Sequence, residues 1–430
     1  MAKLVIEGGY PLSGVITPSG NKNAALPLLA ACLLTDEQVV LHNLPRIRDV
    51  QTMLHIMEKL GVEVTDLGPH DVAVQARHIT QTALDPDLCR EIRASMLLAG
   101  PMLARCQEIA LPPPGGDVIG RRRVDTHLQS LKKLGAEIEL NGGYSMKTAG
   151  LQGASIFLDE ASVTGTENAL MAASMARGTT TIRNAASEPH VQELARFLNQ
   201  MGAHIRGIGS NELTIDGVDR LRGAEWTIGP DHIEVGSLIG LAAATGGELR
   251  IQGAGAQHLH MTQLMLDRLG VVVQFDGDDV VVPGRQDLQV RPDLDGAIPK
   301  IDDGPWPHFP ADMMSIALVV ATQSAGTILI WEKMFESRLF FVDRLIGMGA
   351  RIVLCDPHRA VVVGPSRLHG GPLPSPDIRA GMALLIAALC AQGRSEISNI
   401  EQIDRGYEQI ERKLETLGAK VKRTHDRCAW

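Results

Sequence analysis

Aromatic side chains are scarce in this 430-residue chain. Phe, Trp and Tyr together make up 3% of it, so its cores have to be built from Leu, Ile, Val, Ala and Met. Cysteine is sparse and scattered: Cys32, Cys89, Cys106, Cys355, Cys390 and Cys428 include no C-x-x-C pair. That excludes a zinc-ribbon or disulfide framework and predicts reduced thiols in a cytoplasmic protein. No apolar run reaches the ~20 residues that a membrane helix requires, and stretches such as 24–34 and 382–391 read as core helices. The N-terminal Met-Ala-Lys leads directly into a strand-like run, not a leader peptide. Surplus positive charge is also missing, since the net charge is −9. This argues against a general nucleic-acid binder. The expected partners are therefore small molecules, with neither nucleic acid nor membrane, and any phosphate site must be a local cluster of Arg and Lys.

What the chain does have is an internal repeat. Leu/Met-Gly followed by a strand-like stretch occurs six times, at Leu60-Gly61, Leu134-Gly135, Met201-Gly202, Leu269-Gly270, Met348-Gly349 and Leu417-Gly418, at intervals of about 70 residues. Gly suits the left-handed residue that ends a helix before a strand begins. Upstream of each glycine lies an Ala/Leu/Met-rich helix, beginning near Lys22, Arg93, Thr166, Ile233, Asp312 and Arg379, then a short strand, a polar loop and an amphipathic helix. Too few residues follow Gly418 to finish the last unit, and the strand-like N-terminal segment ending at Pro18-Ser19-Gly20 supplies the shortfall. The prediction is an α/β protein of two domains with three units each. One domain spans 22–229, with a lid loop at about 112–123; the other is discontinuous, 1–21 plus 230–430. The chain would cross between them near Gly20 and near Gly229-Pro230.

Unusual polar residues recur at two places in the unit. One is the start of the buried helix: Lys22-Asn23, Arg93, Ser162 to Asn168, Asp231, Asp312 and Arg379. The other is the loop before the amphipathic helix: Arg46, Asp117 to Asp125, Glu188, Glu336 with Arg338, and Asp404-Arg405. Helix N-termini carry partial positive charge and free N–H groups, so six of them aimed at one interdomain cleft suit phosphates and carboxylates. A cation at such a start opposes the dipole and calls for a compensating anion. One of these residues alone would be an ordinary surface charge; Lys22, Arg93 and Arg379 sharing one repeat position is a pattern. The loop Pro112-Pro113-Pro114-Gly115-Gly116-Asp117-Val118-Ile119-Gly120-Arg121-Arg122-Arg123 combines prolines and paired glycines with three arginines, a composition suited to a hinged lid.

Four motifs resemble the UDP-N-acetylglucosamine 1-carboxyvinyltransferase family of enolpyruvyl transferases. They are Ser19-Gly20-Asn21-Lys22-Asn23-Ala24-Ala25-Leu26-Pro27, the Pro-Gly-Gly-x-x-Ile-Gly loop, Phe309-Pro310-Ala311-Asp312-Met313 and Ile403-Asp404-Arg405-Gly406-Tyr407. The resemblance covers essentially the whole chain. It implies a fold of two inside-out α/β barrels, each of three units. It also implies transfer of the enolpyruvyl group of phosphoenolpyruvate to the 3-hydroxyl of UDP-N-acetylglucosamine, with no cofactor and no metal. That chemistry needs a base for the hydroxyl, an acid for the enol carbon, and cations for phosphate and carboxylate. By motif match Asp312 is the base, and Lys22, Arg122 and Arg405 hold the phosphoenolpyruvate anions with help from Arg379. Asn23 meets the sugar and Arg93 the nucleotide. Ser162, Val163, Thr164 and Gly165 offer backbone N–H groups to the diphosphate. Arg122, Arg123, Val124, Asp125 and Thr126 frame the uracil, and Met334 lies against the sugar nucleotide.

The chain departs from the family pattern at several positions. Asp117 stands where most members have Cys. Its arginine neighbours favour the carboxylate, whereas lid closure and desolvation favour the acid, so Asp117 is expected to donate a proton only in the closed complex. A carboxylate is a poor epoxide nucleophile, which predicts insensitivity to fosfomycin. Arg123 and Thr126 replace the usual Pro and Leu, and His308 replaces a Gly near Asp312, so a different nucleotide sugar is a competing expectation. 5-Enolpyruvylshikimate-3-phosphate synthases share fold and donor but typically begin Gly-Ser-Lys-Ser, where this chain has Asn21-Lys22-Asn23. A binding paralogue without turnover would be marked by loss of Lys22, Asp312 or Arg405, and all three are present.

Overall fold

The computed structural model describes residues 2–116, 119–120 and 122–425. These form two compact α/β units, one of 20–116 with 122–229, the other of 2–19, 119–120 and 230–425. Ile119 and Gly120, which the sequence reading gave to the first domain's lid, group with the second unit. Ser337 donates its N–H to the Ile119 carbonyl at 3.1 Å.

The repeat is visible in the backbone. Gly61, Gly135, Gly202, Gly270, Gly349 and Gly418 all have left-handed φ, between 82° and 107°. In every case the next N–H reaches back five residues, as in Val62 to Met57 at 3.1 Å and Ala419 to Leu414 at 3.0 Å. This is the helix-ending bond that satisfies an orphan carbonyl and needs φ > 0 at the glycine. Each repeat then forms one small sheet. The strand leaving the inner helix pairs antiparallel with the second strand of a hairpin and, on its other side, parallel with a short edge strand. Gly326–Trp331 illustrates it, lying between Arg359–Gly364 and Lys300–Asp302, with Arg351–Asp356 beyond. Five sheets have four strands; in the sixth, around Glu108–Leu111, the edge is reduced to an Ala83–Ala110 bridge.

The N-terminal segment divides its contribution. Ala2–Glu7 pairs with both Arg394–Ser398 and Lys420–His425, so the last repeat is cut within its hairpin. Gly14–Ile16 pairs instead with Leu249–Ile251, joining the fourth repeat, not the last. In exchange, Glu225–Thr227 pairs with Gln38–His42. Each of these edge strands thus stays in one unit while the helix it leads into belongs to the other. Short bonds anchor both crossings: Asn21 N–H to Gly229 carbonyl at 2.8 Å and Asp231 N–H to Ser19 carbonyl at 2.9 Å.

The helices lie inside and the sheets outside. His232–Thr245, Met314–Gln323 and Ile378–Cys390 pack on one another in the second unit, and Gly240 lets two of them close, since a Cβ there would fall 2.6 Å from Ile316. Their Leu and Ile residues are almost wholly buried, so truncating one to Ala costs about 2–5 kcal/mol. In the first unit Lys22–Ala31 and Val163–Ala173 are the counterparts. The element opening at Arg93 differs from the expected single helix: it runs as a 3₁₀ segment, Arg93–Leu98, before the α-helix Ala99–Cys106. Pro101 explains the break, because its ring would clash with the Leu97 carbonyl in a continuous α-helix. Among the described residues no helix is long and apolar enough to cross a membrane.

Candidate functional site

In the first unit, Asn21 caps the helix Lys22–Ala31 by accepting the N–H of Asn23 at 2.9 Å. This leaves Lys22 in the first turn, where its charge opposes the helix dipole. The compensating anion is Asp49, whose Oδ2 lies 2.8 Å from Lys22 Nζ, with both side chains more than nine-tenths buried. Asp49, in the first turn of the helix Arg48–Lys59, is not among the residues that the sequence singles out, although a compensating anion is expected. The sequence reading stopped at Arg46, which instead pairs with Asp66 at 2.7 Å.

Arg93 donates to the carbonyls of Arg122 at 2.9 Å and Arg123 at 2.8 Å. Burial depresses its pKa, the mark of a cation held away from water. Gly115 and Gly116 serve this contact. A Cβ on Gly115 would fall 1.7 Å from the Arg90 carbonyl, and one on Gly116 2.9 Å from Arg93 Cβ and 3.6 Å from Arg122 Nη1. Their smallness is therefore needed for close packing, where the sequence suggested only hinging. Arg123 binds Asp125 and Asp159, each at 2.8 Å, and those carboxylates raise its pKa. Asp125 opens the helix Asp125–Lys133 behind Val124, and Thr126 is buried in its first turn. Asp117 lies outside the described residues.

Ser162 caps the helix Val163–Ala173 by accepting the Gly165 N–H at 3.2 Å, and its own N–H reaches the Glu160 carbonyl at 2.7 Å. Of the four N–H groups expected to meet a diphosphate, those of Ser162 and Gly165 are thus engaged within the protein. Thr164 Oγ1 is 3.0 Å from Nε2 of His127, a buried residue that sequence reasoning missed. Asn168 donates Nδ2 both to Nδ1 of His127 at 2.9 Å and to the Met96 carbonyl at 2.7 Å. Because an amide nitrogen can only donate, Nδ1 accepts and the neutral ring carries its proton on Nε2. Burial, with the nearby Arg93 charge, brings the His127 pKa down to about 3. Nearby, Glu167 is buried, and burial together with Glu188 holds its carboxyl well above the usual range.

In the second unit Asp312 sits in the turn Ala311–Met313 that opens a buried helix. Its Oδ1 accepts from Arg338 Nη2 at 2.6 Å and its Oδ2 from Arg379 Nε at 3.0 Å. The two guanidinium groups are 4% and 5% exposed, while Asp312 is 29% exposed. Arg379 heads the helix Ile378–Cys390, whose cap is Asp377, and stacks 5.4 Å above the Tyr407 ring. Tyr407 is fixed by Ser237 at 3.0 Å. Arg405 is buried in the 3₁₀ segment Ile400–Arg405 and donates to Gln402 at 3.1 Å. Its neighbour Asp404 turns away to hold Arg423 at 2.6 and 2.9 Å. Met334 is partly exposed, its N–H bonded to Glu332 Oε1 at 3.2 Å. His308 Nδ1 accepts its own neighbour's N–H, that of Phe309, at 2.8 Å. From the sequence Arg338 is only a polar loop residue; its contact with Asp312 makes it part of this centre. Among the described residues no group of three His, Cys, Asp or Glu side chains is arranged to hold a metal ion.

The charged groups comprise a partly exposed carboxylate oriented by two cations in one unit, and in the other a buried Lys–Asp pair together with Arg93 on the Arg122 and Arg123 carbonyls. They are equipped for anionic substrates and proton transfer. Comparison with known proteins agrees. The family model described as EPSP synthase (3-phosphoshikimate 1-carboxyvinyltransferase) matches residues 6–414. The UDP-N-acetylglucosamine 1-carboxyvinyltransferase of Bradyrhizobium diazoefficiens is 57% identical over 423 residues, 98% of each chain. That of Treponema denticola is 54% identical over 421 residues, 98% of this chain and 99% of its own. Among solved structures, the enolpyruvyl transferase NikO from Streptomyces tendae superposes with a TM-score of 0.88 at 25% identity, covering 98% of this chain and 99% of its own. An EPSP synthase from Acinetobacter baumannii shares the fold, with a TM-score of 0.75 at 16% identity over 99% of this chain and all of its own. With its six repeats, its paired charge centres and these relatives, the chain belongs to the EPSP synthase family of enolpyruvyl transferases.

Proposed function

We propose that the chain transfers the enolpyruvyl group of phosphoenolpyruvate to the 3-hydroxyl of UDP-N-acetylglucosamine, releasing phosphate and opening peptidoglycan precursor synthesis in the cytoplasm. The observation that carries this reading is Asp312 held between Arg338 and Arg379, in a chain 57% identical to a relative named for that reaction. Asp312 takes the proton of the sugar hydroxyl as its oxygen bonds to C2 of phosphoenolpyruvate, and a proton adds to C3. The tetrahedral adduct then loses that C3 proton as the C2–O bond to phosphate breaks. Lys22, Arg122 and Arg405, with Arg379, bind the phosphate and carboxylate. Electrostatic stabilisation at such a centre is worth more the drier it is, and the burial of Lys22, Arg379 and Arg405 supports that role. Asn23 and Met334 contact the sugar nucleotide. Arg93 and residues Arg122, Arg123, Val124, Asp125 and Thr126 hold its uridine, and Ser162, Val163, Thr164 and Gly165 its diphosphate.

Asp117, standing where most of the family has Cys, is the acid that protonates C3 in the closed complex. Asp117→Asn is expected to lower turnover at least 100-fold, about the size of a lost general acid; near-full turnover by this variant would remove the assignment. Fosfomycin is expected to leave the enzyme active, and a covalent adduct on residue 117 would contradict that. The decisive assay is phosphate release from phosphoenolpyruvate with UDP-N-acetylglucosamine against shikimate 3-phosphate as acceptor. Release only with the second acceptor would overturn the proposal.

A further inference from the structure

Behind Asp312 runs a file of buried charge that the proposed chemistry does not use. Arg338 donates Nη2 to Asp312, while its Nε faces Glu332 Oε2 at 3.9 Å, beyond hydrogen-bond reach. Glu332 is fully buried. Its Oε1 accepts the N–H groups of Met334 at 3.2 Å and Phe335 at 3.1 Å. Its backbone is clamped to His358, by N–H to carbonyl at 2.8 Å and by its own carbonyl to Nδ1 at 2.7 Å. Glu332 therefore holds the start of the segment that carries both Met334 and Arg338.

The other carboxyl oxygen, Oε2, has no hydrogen-bond donor, and neither does Oδ2 of Asp303, which is equally buried. The two side chains meet each other. Two ionised carboxylates offer only acceptors and cannot bond, and leaving both oxygens buried and unsatisfied would be costly. One proton between them satisfies both. Asp303 Oδ1 already accepts the Lys333 N–H at 2.5 Å, and Lys333 Nζ, with Lys300, is drawn to Asp302. Neither lysine pairs with Glu332, and the one cation that faces it, Arg338 at 3.9 Å, pulls its pKa down by less than burial and Asp303 raise it. Burial, reinforced by Asp303, pushes the Glu332 carboxyl up to about 9, which puts the proton on Glu332 at neutral pH.

We infer that Glu332, joined to Asp303, is a positioning residue for the transfer reaction: as a neutral acid it fixes the 333–338 segment so that Arg338 orients Asp312. The inference rests on the assignment of Asp312 as base. It makes an unusual demand, that the side chain at 332 keep its shape and hydrogen bonds but not its charge. Glu332→Gln meets that demand, because its amide donates to Asp303 and its carbonyl accepts from Met334 and Phe335. Glu332→Ala and the volume-filling Glu332→Met do not.

The test is steady-state phosphate release with phosphoenolpyruvate and UDP-N-acetylglucosamine for these three variants, with Asp312→Asn alongside. Glu332→Gln is expected to keep kcat within about threefold, and Glu332→Ala and Glu332→Met to lose about 30-fold in kcat with the phosphoenolpyruvate KM within about twofold, as for a misplaced reacting group. Should Glu332→Ala fail to fold, the Met variant carries the comparison. A Gln variant as slow as the Met variant, a Met variant with kcat intact, or a loss confined to KM would overturn the inference while Asp312→Asn stays inactive. Full turnover by Asp312→Asn would instead sink the assignment of the base on which both readings stand.

Discussion

The two units place charge at the same repeat positions and balance it differently. In the first, Lys22 at the head of its helix is matched by Asp49, and both are shut away. In the second, one carboxylate, Asp312, carries two guanidinium groups and is the exposed member of the trio. A buried one-to-one pair leaves no net charge, and removing either partner strands the other. A carboxylate shared by two arginines leaves positive charge over, and that surplus suits an incoming phosphate or carboxylate. The same backbone unit thus carries charge in two balances, a closed one-to-one pair and a carboxylate shared by two cations.

Replacing the acid in each unit sharpens this contrast most. Asp312→Asn is expected to reduce phosphate release by about 10²–10⁴-fold, the range of a lost general base. Asp49→Ala is expected to act chiefly on stability. It leaves Lys22 buried without its partner and costs about 3–5 kcal/mol of stability, read as a lower midpoint in urea. If Asp49→Ala left stability untouched while abolishing turnover, the distinction between a structural pair and a reacting centre would fail.

Each unit also buries a histidine that stays neutral, which sets the comparison by pH. Burial, with Arg93 adding to it, lowers His127 from 6.5 to about 3. In the second unit burial likewise leads in lowering His232 to about 4, and its ring lies edge-on to Trp306 at 6.0 Å. The folded state refuses a proton that the unfolded chain takes below 6.5. The stability these groups contribute is therefore complete above pH 6.5 and lost as pH falls toward 3 for His127 and 4 for His232. The loss is about 1 kcal/mol per pH unit for each ring. His127→Gln is expected to flatten that acid limb, with denaturant titrations at pH 7.0 and 5.5 as the measurement. An unchanged slope would mean that the ring is not the group being titrated.

Most of the architecture was legible because it repeats. A left-handed glycine after each amphipathic helix is a local requirement, so the six Leu/Met-Gly pairs reported six units without any knowledge of tertiary contacts. The exchange of edge strands was not legible. Gly14–Ile16 and Glu225–Thr227 are three-residue strands whose partners are chosen by long-range pairing, and nothing in three residues encodes that choice. The charge pairs were legible where a charged residue sits at a helix start, as for Lys22, Asp312 and Arg379. Contacts were not legible where a side chain acts from the far end of a long contact, as with Asp49, Arg338 and His127. Arg123 is bound by two carboxylates, and counting charges along a loop does not show which of them are paired.

The smallest effect tests whether the repeats remain equivalent where no substrate intervenes. Gly202 in the first unit and Gly418 in the second have φ of 107° and 91°, and a Cβ at either would meet nothing within 4 Å. Alanine therefore adds no clash at either position, and its whole cost is the left-handed backbone, about 1 kcal/mol. Gly202→Ala and Gly418→Ala are expected to lower stability by the same amount in the same denaturant series, with turnover unchanged. Unequal losses would show that the two units have diverged in their backbone as well as in the charges at their helix starts. Equal losses would confine the divergence to side chains, which is where the contrast between Asp49 and Asp312 places it.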